Sequence, residues 1–271
     1  MISIISPIYN EADNLIELYK RVVAALESVH EKFEFILVEN GSSDNSLEII
    51  KDLRAKDPRI KYVSLSRNFG HQGGIMAGLA NASGNAVISL DGDLQHPPEL
   101  IPKLVELWKS GYAVVFTTKK INKHDGDWRF FPTRIFYKII SYISDVSLTY
   151  GQSDYRLLDR KVVDVLLKIP EKNKFLRGMV KWVGFSQIGV EYEVAPRKSG
   201  ESKFSLWDYI SFAHDGIFSF STMPLKVFLW IGVIMATFCG FYAFYYFVMG
   251  MITILYPKSN LLPPGSATIT V

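Results

Sequence analysis

One cysteine, Cys239, stands in a chain of 271 residues, which excludes an internal disulfide framework and any cysteine-rich zinc centre. The formal charge is only +3, so nucleic acid binding draws no support from composition. Neither the Gly-x-Gly-x-x-Gly turn nor the Gly-x-x-x-x-Gly-Lys phosphate loop occurs; dinucleotide oxidoreductases and P-loop enzymes lose their main support. No Gly-x-Ser-x-Gly surrounds Ser42 or Ser43, which argues against a serine hydrolase. Neither His71 nor His96 stands in a His-x-Glu or Glu-x-x-His spacing, so both read as satisfied polar groups or supporting contacts rather than zinc ligands. The start, Met1-Ile-Ser-Ile-Ile-Ser-Pro7, shows no secretory signal, and the amino-terminal part is expected to stay in the cytoplasm.

What the chain does have is apolar content, 48% of residues, ample for a large α/β domain plus an appendage. Over residues 1–118, β-rich runs at 2–5, 34–38, 60–65, 86–90 and 113–117 alternate with helix-like stretches at 12–28, 44–54, 71–82 and 98–110. Such alternation predicts an α/β fold with a mostly parallel sheet covered by helices, and chemistry at the carboxyl ends of the strands. Residues 227–256 then run for 30 positions without Asp, Glu, Lys or Arg. A helix of that length reaches about 45 Å, more than the roughly 30 Å hydrocarbon core, so a tilted transmembrane helix fits. A buried helix of a soluble core is the other reading, and the length argues against it. Lys198, Lys203 and Lys226 put positive charge ahead of the run, favouring a cytoplasmic position for that side. Residues 201–225 mix aromatic with polar side chains. That pattern fits an amphipathic juxtamembrane helix, and a helix packed on the preceding domain would read the same way.

The fourth β-rich run leads into Asp91-Gly92-Asp93-Leu94-Gln95-His96-Pro97-Pro98-Glu99. Two carboxylates separated by glycine at a strand end can share a hard divalent cation with substrate phosphates, although a solvated turn explains an isolated Asp-x-Asp as well. The context adds three more motifs in order: Ser6-Pro7-Ile8-Tyr9-Asn10-Glu11, Gly41-Ser42-Ser43-Asp44 and Ser66-Arg67-Asn68-Phe69-Gly70-His71-Gln72. Together they resemble the family 2 inverting glycosyltransferases, and within these the polyprenyl phosphate sugar synthases of the bactoprenol glucosyltransferase and dolichol phosphate mannose synthase kind. The likeness continues through Ser153-Asp154-Tyr155-Arg156-Leu157, Phe175-Leu-Arg177-Gly178, Trp182-Val-Gly-Phe185, Arg197-Lys-Ser-Gly-Glu-Ser202-Lys203-Phe204 and Ser219-Phe-Ser-Thr-Met-Pro-Leu-Lys226.

The resemblance implies a GT-A fold (Rossmann-like, with a mostly parallel sheet), a nucleotide-sugar donor, Mg²⁺ or Mn²⁺, and a polyprenyl phosphate acceptor in a membrane. It implies that Pro7, Tyr9, Glu11, Val38, Glu39, Asn40, Asp91, Gly92, Lys119, Arg197 and Lys203 bind the nucleotide, and that Asp91, Asp93 and Gln95 hold the metal. Asp93 and Asp154 become the catalytic candidates; Arg156, Ser202 and Lys203 become candidates for the acceptor phosphate. For Arg156 a structural ion pair is the alternative, and Arg197 and Lys203 beside a membrane also suit anionic lipid. A lipid phosphate is already an anion and needs no general base, so Asp154 is expected to position the acceptor or the metal rather than take a proton. Three departures stand out. Glu39-Asn40 replaces the usual Asp-Asp and is expected to alter nucleotide preference or weaken donor binding. Lys119-Lys120 replaces an arginine, keeping charge and losing the fork, and Ser153 replaces a glycine.

The expected organisation is a catalytic domain over 1–200, a juxtamembrane region over 201–225, a transmembrane helix over 226–256 and a loop over 257–271 that is either a tail or the start of a second span. The expected activity is transfer of glucose from UDP-glucose to undecaprenyl phosphate on the cytoplasmic face of a bacterial inner membrane, giving a lipid-linked sugar for surface glycans, with the oligomeric state left open. Rivals are a GDP-mannose-dependent synthase and a membrane-bound nucleotide-sugar binding protein with a decayed site. A polysaccharide synthase would carry a Gln-x-x-Arg-Trp motif and more spans.

Overall fold

The computed structural model describes residues 1–120, 151–171, 176–193 and 223–255. Seven strands lie in these residues: β1 Ile2–Ile8, β2 Phe33–Glu39, β3 Ile60–Ser64, β4 Ala86–Ser89, β5 Val114–Lys119, β6 Gln152–Asp159 and β7 Gln187–Tyr192. They form one sheet in the order β3-β2-β1-β4-β6-β5-β7. All neighbours are parallel except β6, which runs antiparallel to both β4 and β5.

Alternating side chains of the central strands feed two cores, because successive residues point to opposite faces. Ile4, Phe35, Leu37 and Ile88 pack on one face with helices α1 (Ala12–Glu27), α2 (Ser46–Lys56) and α4 (Ile101–Lys109). Ile5, Ile36, Val38 and Val87 pack on the other with α3 (Gly70–Asn81), α5 (Arg160–Lys168) and α6 (Leu176–Trp182). The five expected strands and four expected helices of the first 118 residues are present, with ends shifted by a few positions.

β1 runs past the expected end at residue 5, through Pro7 to Ile8. The Ile5 carbonyl accepts from Leu90 on the β4 side, and the Ile8 carbonyl accepts from Asn40 on the β2 side. Pro7 therefore faces the β4 side, beyond the last β1–β4 pair at Ile5 and Ser89. Its missing N–H breaks no ladder bond there. β6 was not foreseen as a strand. It is buried along nearly its whole length, so no polar alternation marks it, and its Gln152, Ser153, Asp154 and Arg156 break up the apolar run.

Contacts divide the chain into two compact units, Met1–Phe220 and Ser221–Val271. Helix α7, Met223–Leu255, is the described part of the second. Its stretch Leu225–Leu255 spans 31 residues with a mean hydropathy of 2.0 and no buried part, long and apolar enough to cross a membrane. It begins a turn before the charge-free run because Pro224 is tolerated in a first turn, whose N–H groups have no helical partner. Thr237 and Thr253 return their hydroxyls to the carbonyls of Val233 and Met249 at 2.8 and 2.9 Å, which removes two polar groups from the apolar surface. The expected juxtamembrane segment, apart from residues 223–225, and the expected loop 257–271 lie outside the described residues.

At the opposite end of the sheet from the motifs, the buried carboxylate of Glu34 accepts from Ser3 Oγ at 2.5 Å, Ser83 N at 2.7 Å, Ser83 Oγ at 2.9 Å and Lys61 Nζ at 2.5 Å. Burial pushes its carboxyl up, but Lys61 and the serine donors pull it further down, to about 2. A depressed carboxyl contributes stability above its unfolded value near 4.5 and loses it as pH falls toward 2. Glu34→Gln is expected to lower the melting temperature of the full chain in detergent near neutral pH, by the equivalent of about 1–3 kcal/mol. It should also flatten the melting temperature's decline across that acid window; an unchanged acid profile would remove Glu34 from the account.

Candidate active site

β4 and β6 pair with Ser89 opposite Arg156. Moving two residues beyond Ser89 reaches Asp91, and moving two residues back from Arg156 reaches Asp154, so the antiparallel register sets the two aspartates side by side. The turn Asp91-Gly92-Asp93 also presses on the end of β1. A Cβ at Gly92 would stand 2.7 Å from Ile8 Cδ1 and 3.6 Å from Glu11 Cγ, so a larger residue would oblige the tip of Ile8 to move. Leu94 follows with φ of 60°, a left-handed backbone uncommon outside glycine. Its side chain is buried in the core, and the reversal lets Gln95 N–H donate to Asp93 Oδ1 at 3.1 Å.

Asp154 is buried among cations. Its Oδ1 accepts from Arg156 Nη2 at 2.8 Å and Arg177 Nε at 3.0 Å, and its Oδ2 accepts from Arg177 Nη2 at 2.8 Å. Burial pushes this carboxyl up, yet Arg177, His71 and Arg156 more than reverse the effect and hold it well below the usual carboxylate range. A carboxylate so stabilised is a poor proton acceptor. Arg156 is only 3% exposed, with Nη2 divided between Asp154 and the Ser153 carbonyl at 3.0 Å. The structure shows the ion pair that was one of the two readings of Arg156: its guanidinium lies inside the protein against Asp154. Arg177, on α6 and 23% exposed, is the guanidinium at the surface of this cluster.

His71, in the first turn of α3, bridges the two strand ends, with Nε2 3.4 Å from Asp91 Oδ1 and 3.6 Å from Asp154 Oδ2. Burial pulls the imidazole down, but Asp91 and Asp154 outweigh it and push it up to about 9. Its neighbour Gln72 accepts from Leu176 N–H at 3.3 Å, so the start of α3 also holds the start of α6 and with it Arg177.

His96 lies beneath the turn, 5% exposed, between the rings of Tyr155 and Tyr192 at 5.5 and 5.6 Å. Its Nε2 is 2.7 Å from Ser153 Oγ, and its Nδ1 is 3.2 Å from Asp91 Oδ2. Burial pulls this imidazole down. Donor atoms of Asp91, Asp93 and His96 lie within 4.8 Å of one another. Two part-exposed carboxylates with a buried nitrogen behind them form a donor set that fits a divalent cation.

The expected nucleotide-binding residues separate into two groups. Pro7, Tyr9, Glu11, Asp91 and Gly92 gather at the ends of β1 and β4, and Lys119 is exposed at the end of β5, its N–H on the Gly151 carbonyl at 3.0 Å. Val38, Glu39 and Asn40 form the second group, at the end of β2, and each is engaged within the protein. The Val38 side chain is fully buried in the core. Glu39 accepts from Ser42 N–H and from Ser64 Oγ at 3.1 Å, closing the turn after β2. The Asn40 amide gives Nδ2 to Gly70 O at 3.0 Å and Asn68 Oδ1 at 3.2 Å, while its Oδ1 accepts from Phe69 N–H at 3.0 Å. Gly41, with φ of 73°, packs on the same loop, where a Cβ would come within 2.6 Å of the Arg67 carbonyl carbon. Asn40 thus holds the loop that carries His71. Arg197, Ser202 and Lys203 lie outside the described residues. His71, His96 and Arg177 were not among the expected site residues; each stands in a quoted motif, and that position was the only signal.

Asn40→Asp keeps the acceptor for Phe69 and turns an oxygen toward the Gly70 carbonyl. The expected cost is about 1–3 kcal/mol, read as a drop of several degrees in melting temperature of the full chain in detergent. No drop would show that the amide does not hold the loop.

The sequence profile "Glycosyl transferase family 2" matches residues 3–167. An uncharacterised glycosyltransferase of Bacillus subtilis, YkcC, is 41% identical over 234 residues, 86% of this chain and 72% of that protein. The bactoprenol glucosyl transferase of Shigella phage SfV is 38% identical over 236 residues, 87% of this chain and 77% of that protein. Among solved structures, glucosyl-3-phosphoglycerate synthase from Mycobacterium tuberculosis, in complex with Mn²⁺, UDP and phosphoglyceric acid, superposes with a TM-score of 0.53. It covers 79% of this chain and 75% of that one at 18% identity, a likeness of fold alone and one that matches the GT-A architecture. A profile matched over more than half of the chain, and relatives sharing about two residues in five across most of it, leave one conclusion: this chain is a glycosyltransferase and belongs to family 2.

Proposed function

We propose that the chain transfers a sugar from a nucleotide diphosphate to a polyprenyl phosphate at the cytoplasmic face of a membrane, with inversion, and that glucose from UDP-glucose and undecaprenyl phosphate are the favoured pair. The observation that carries this reading is the state of Asp154. A hydroxyl acceptor needs a group that removes its proton as the new bond forms. Asp154, the buried carboxylate beside the Asp91 turn, is held ionised by two arginines and is unsuited to that task. A phosphate monoester arrives as an anion and needs no base. Arg177 at the edge of the cluster places a positive charge where such a group would arrive, and α7 supplies a helix long enough to keep the chain with its lipid. The bactoprenol glucosyl transferase named among the relatives supports the same acceptor class.

Asp91 and Asp93 would hold Mg²⁺ or Mn²⁺, with Gln95 the oxygen donor expected next to them; hard cations prefer oxygen, so His96 is better placed to support Asp91 than to bind the ion. A cation there would stabilise the negative charge that develops on the departing diphosphate. Pro7, Tyr9 and Glu11 would line the donor pocket, and Lys119 would add positive charge at its edge. His71 ties Asp91 to Asp154 and so fixes the donor side against the acceptor side. The organisation follows: a catalytic domain over 1–200, a juxtamembrane region and a membrane span, with Arg197, Ser202 and Lys203 proposed to meet donor or acceptor phosphate.

In detergent, labelled sugar from a panel of UDP and GDP donors should pass to undecaprenyl phosphate from UDP-glucose, stop with EDTA, and fall at least about a hundredfold in Asp93→Asn. Label from a GDP sugar alone would change the donor. No label from any donor, in folded protein that still binds nucleotide, would favour a binding protein. For Asp154→Asn the residual rate should stay flat as pH is raised. A rise of about tenfold per pH unit, as hydroxide replaces a missing base, would restore Asp154 as the proton acceptor.

A further inference from the structure

Ser153 joins Asp91 through a buried histidine. Its Oγ accepts from Tyr155 N–H at 3.2 Å and also neighbours the Tyr192 hydroxyl, and His96 Nε2, 2.7 Å away, is the partner placed to take its proton. Ser153 is 3% exposed and His96 5%, so water has little access to either. The segment after His96 is pinned as well, because Tyr155 Oη donates to the Pro97 carbonyl at 3.1 Å. With Nε2 taken by the serine, the remaining ring nitrogen faces the turn. Nδ1 is buried without a hydrogen-bond partner among the described residues, and the nearest carboxylate oxygen recorded for it is Asp91 Oδ2 at 3.2 Å, off the axis of a full hydrogen bond.

We propose that Ser153 is a positioning residue for the Asp91–Asp93 cation site: it donates to His96 Nε2, which sets the N–H on Nδ1, and that N–H orients the Asp91 carboxylate for a divalent cation. The proposal rests on the reading that these aspartates hold a cation. Imidazole rotation about its last side-chain bond has two nearly equivalent states that exchange Nδ1 for a carbon, and in a buried slot the partner of Nε2 decides between them. A glycine at 153 would supply no hydroxyl, so this chain carries a control on its metal site that the resemblance did not foresee. His71, on the other oxygen of Asp91 at 3.4 Å, cannot replace it, since it restrains Oδ1 and leaves Oδ2 to His96.

The test is direct binding of Mn²⁺ to the full chain in detergent with UDP present, read from the loss of the free-ion electron paramagnetic resonance signal. Ser153→Ala is expected to weaken Mn²⁺ binding about tenfold, with melting temperature held to within a few degrees. In a His96→Ala background the same change should cost nothing further, and Ser153→Thr, which keeps the hydroxyl, should retain binding. Ser153→Gly, the residue expected from the resemblance, provides a second variant should the alanine form fail to fold. Unchanged affinity in Ser153→Ala or Ser153→Gly, or an equal loss without His96, overturns the proposal. Absence of Mn²⁺ binding by the unaltered chain is a separate result, which overturns the cation site itself.

Discussion

Strand β6 runs against both of its neighbours, and its register with β4 is the constraint on which the site depends. An all-parallel continuation of the sheet would have sent the start of β6 to the opposite end from the motif loops. Because β6 is reversed, its first residues, Gln152 to Asp154, reach the same edge as the end of β4. Pairing in the sheet then brings Asp154, near the start of β6, beside Asp91, two residues past the end of β4. Rigid ladders locate side chains better than loops do, and here the ladder sets Asp154 beside Asp91 while leaving Asp91 partly open to solvent and Asp154 closed to it.

Such proximity of carboxylates is costly unless cations are interleaved. The structure supplies His71 between Asp91 and Asp154, and Arg156 and Arg177 against Asp154. Each comes from a different element: α3, β6 and α6. The charge arrangement therefore couples elements that the core alone would pack independently. Asn40 and Gly41 contribute at one remove, by holding the loop ahead of α3.

Much of the fold could be read from the chain in advance. Apolar runs of four to six residues alternating with amphipathic stretches identified the first five strands and the first four helices, because strand and helix periods differ and leave different traces. β6 escaped because burial on both faces erases alternation, and because its polar residues serve the site. The three residues at the end of β2 carry contacts that motif position did not reveal, because the direction of each side chain depends on what packs beside it. Val38 faces the core, Glu39 closes a turn, and the Asn40 amide both donates and accepts where a carboxylate could only accept. Asparagine at that position is thus a structural clamp with its own hydrogen-bond pattern.

The sequence by itself determined the family, the alternating α/β order, the Asp91-Gly92-Asp93 turn and a helix long enough to span a membrane. Those properties are written in local patterns: strand and helix periods, a glycine between carboxylates, and thirty residues without charge. Tertiary structure alone decided which charges face one another. Asp91, His71, Asp154, Arg177, His96 and Ser153 lie on separate segments, and their interactions depend on strand register and helix packing. Coulombic and hydrogen-bond energies depend on distances of a few ångströms, and the pairing of distant segments sets those distances.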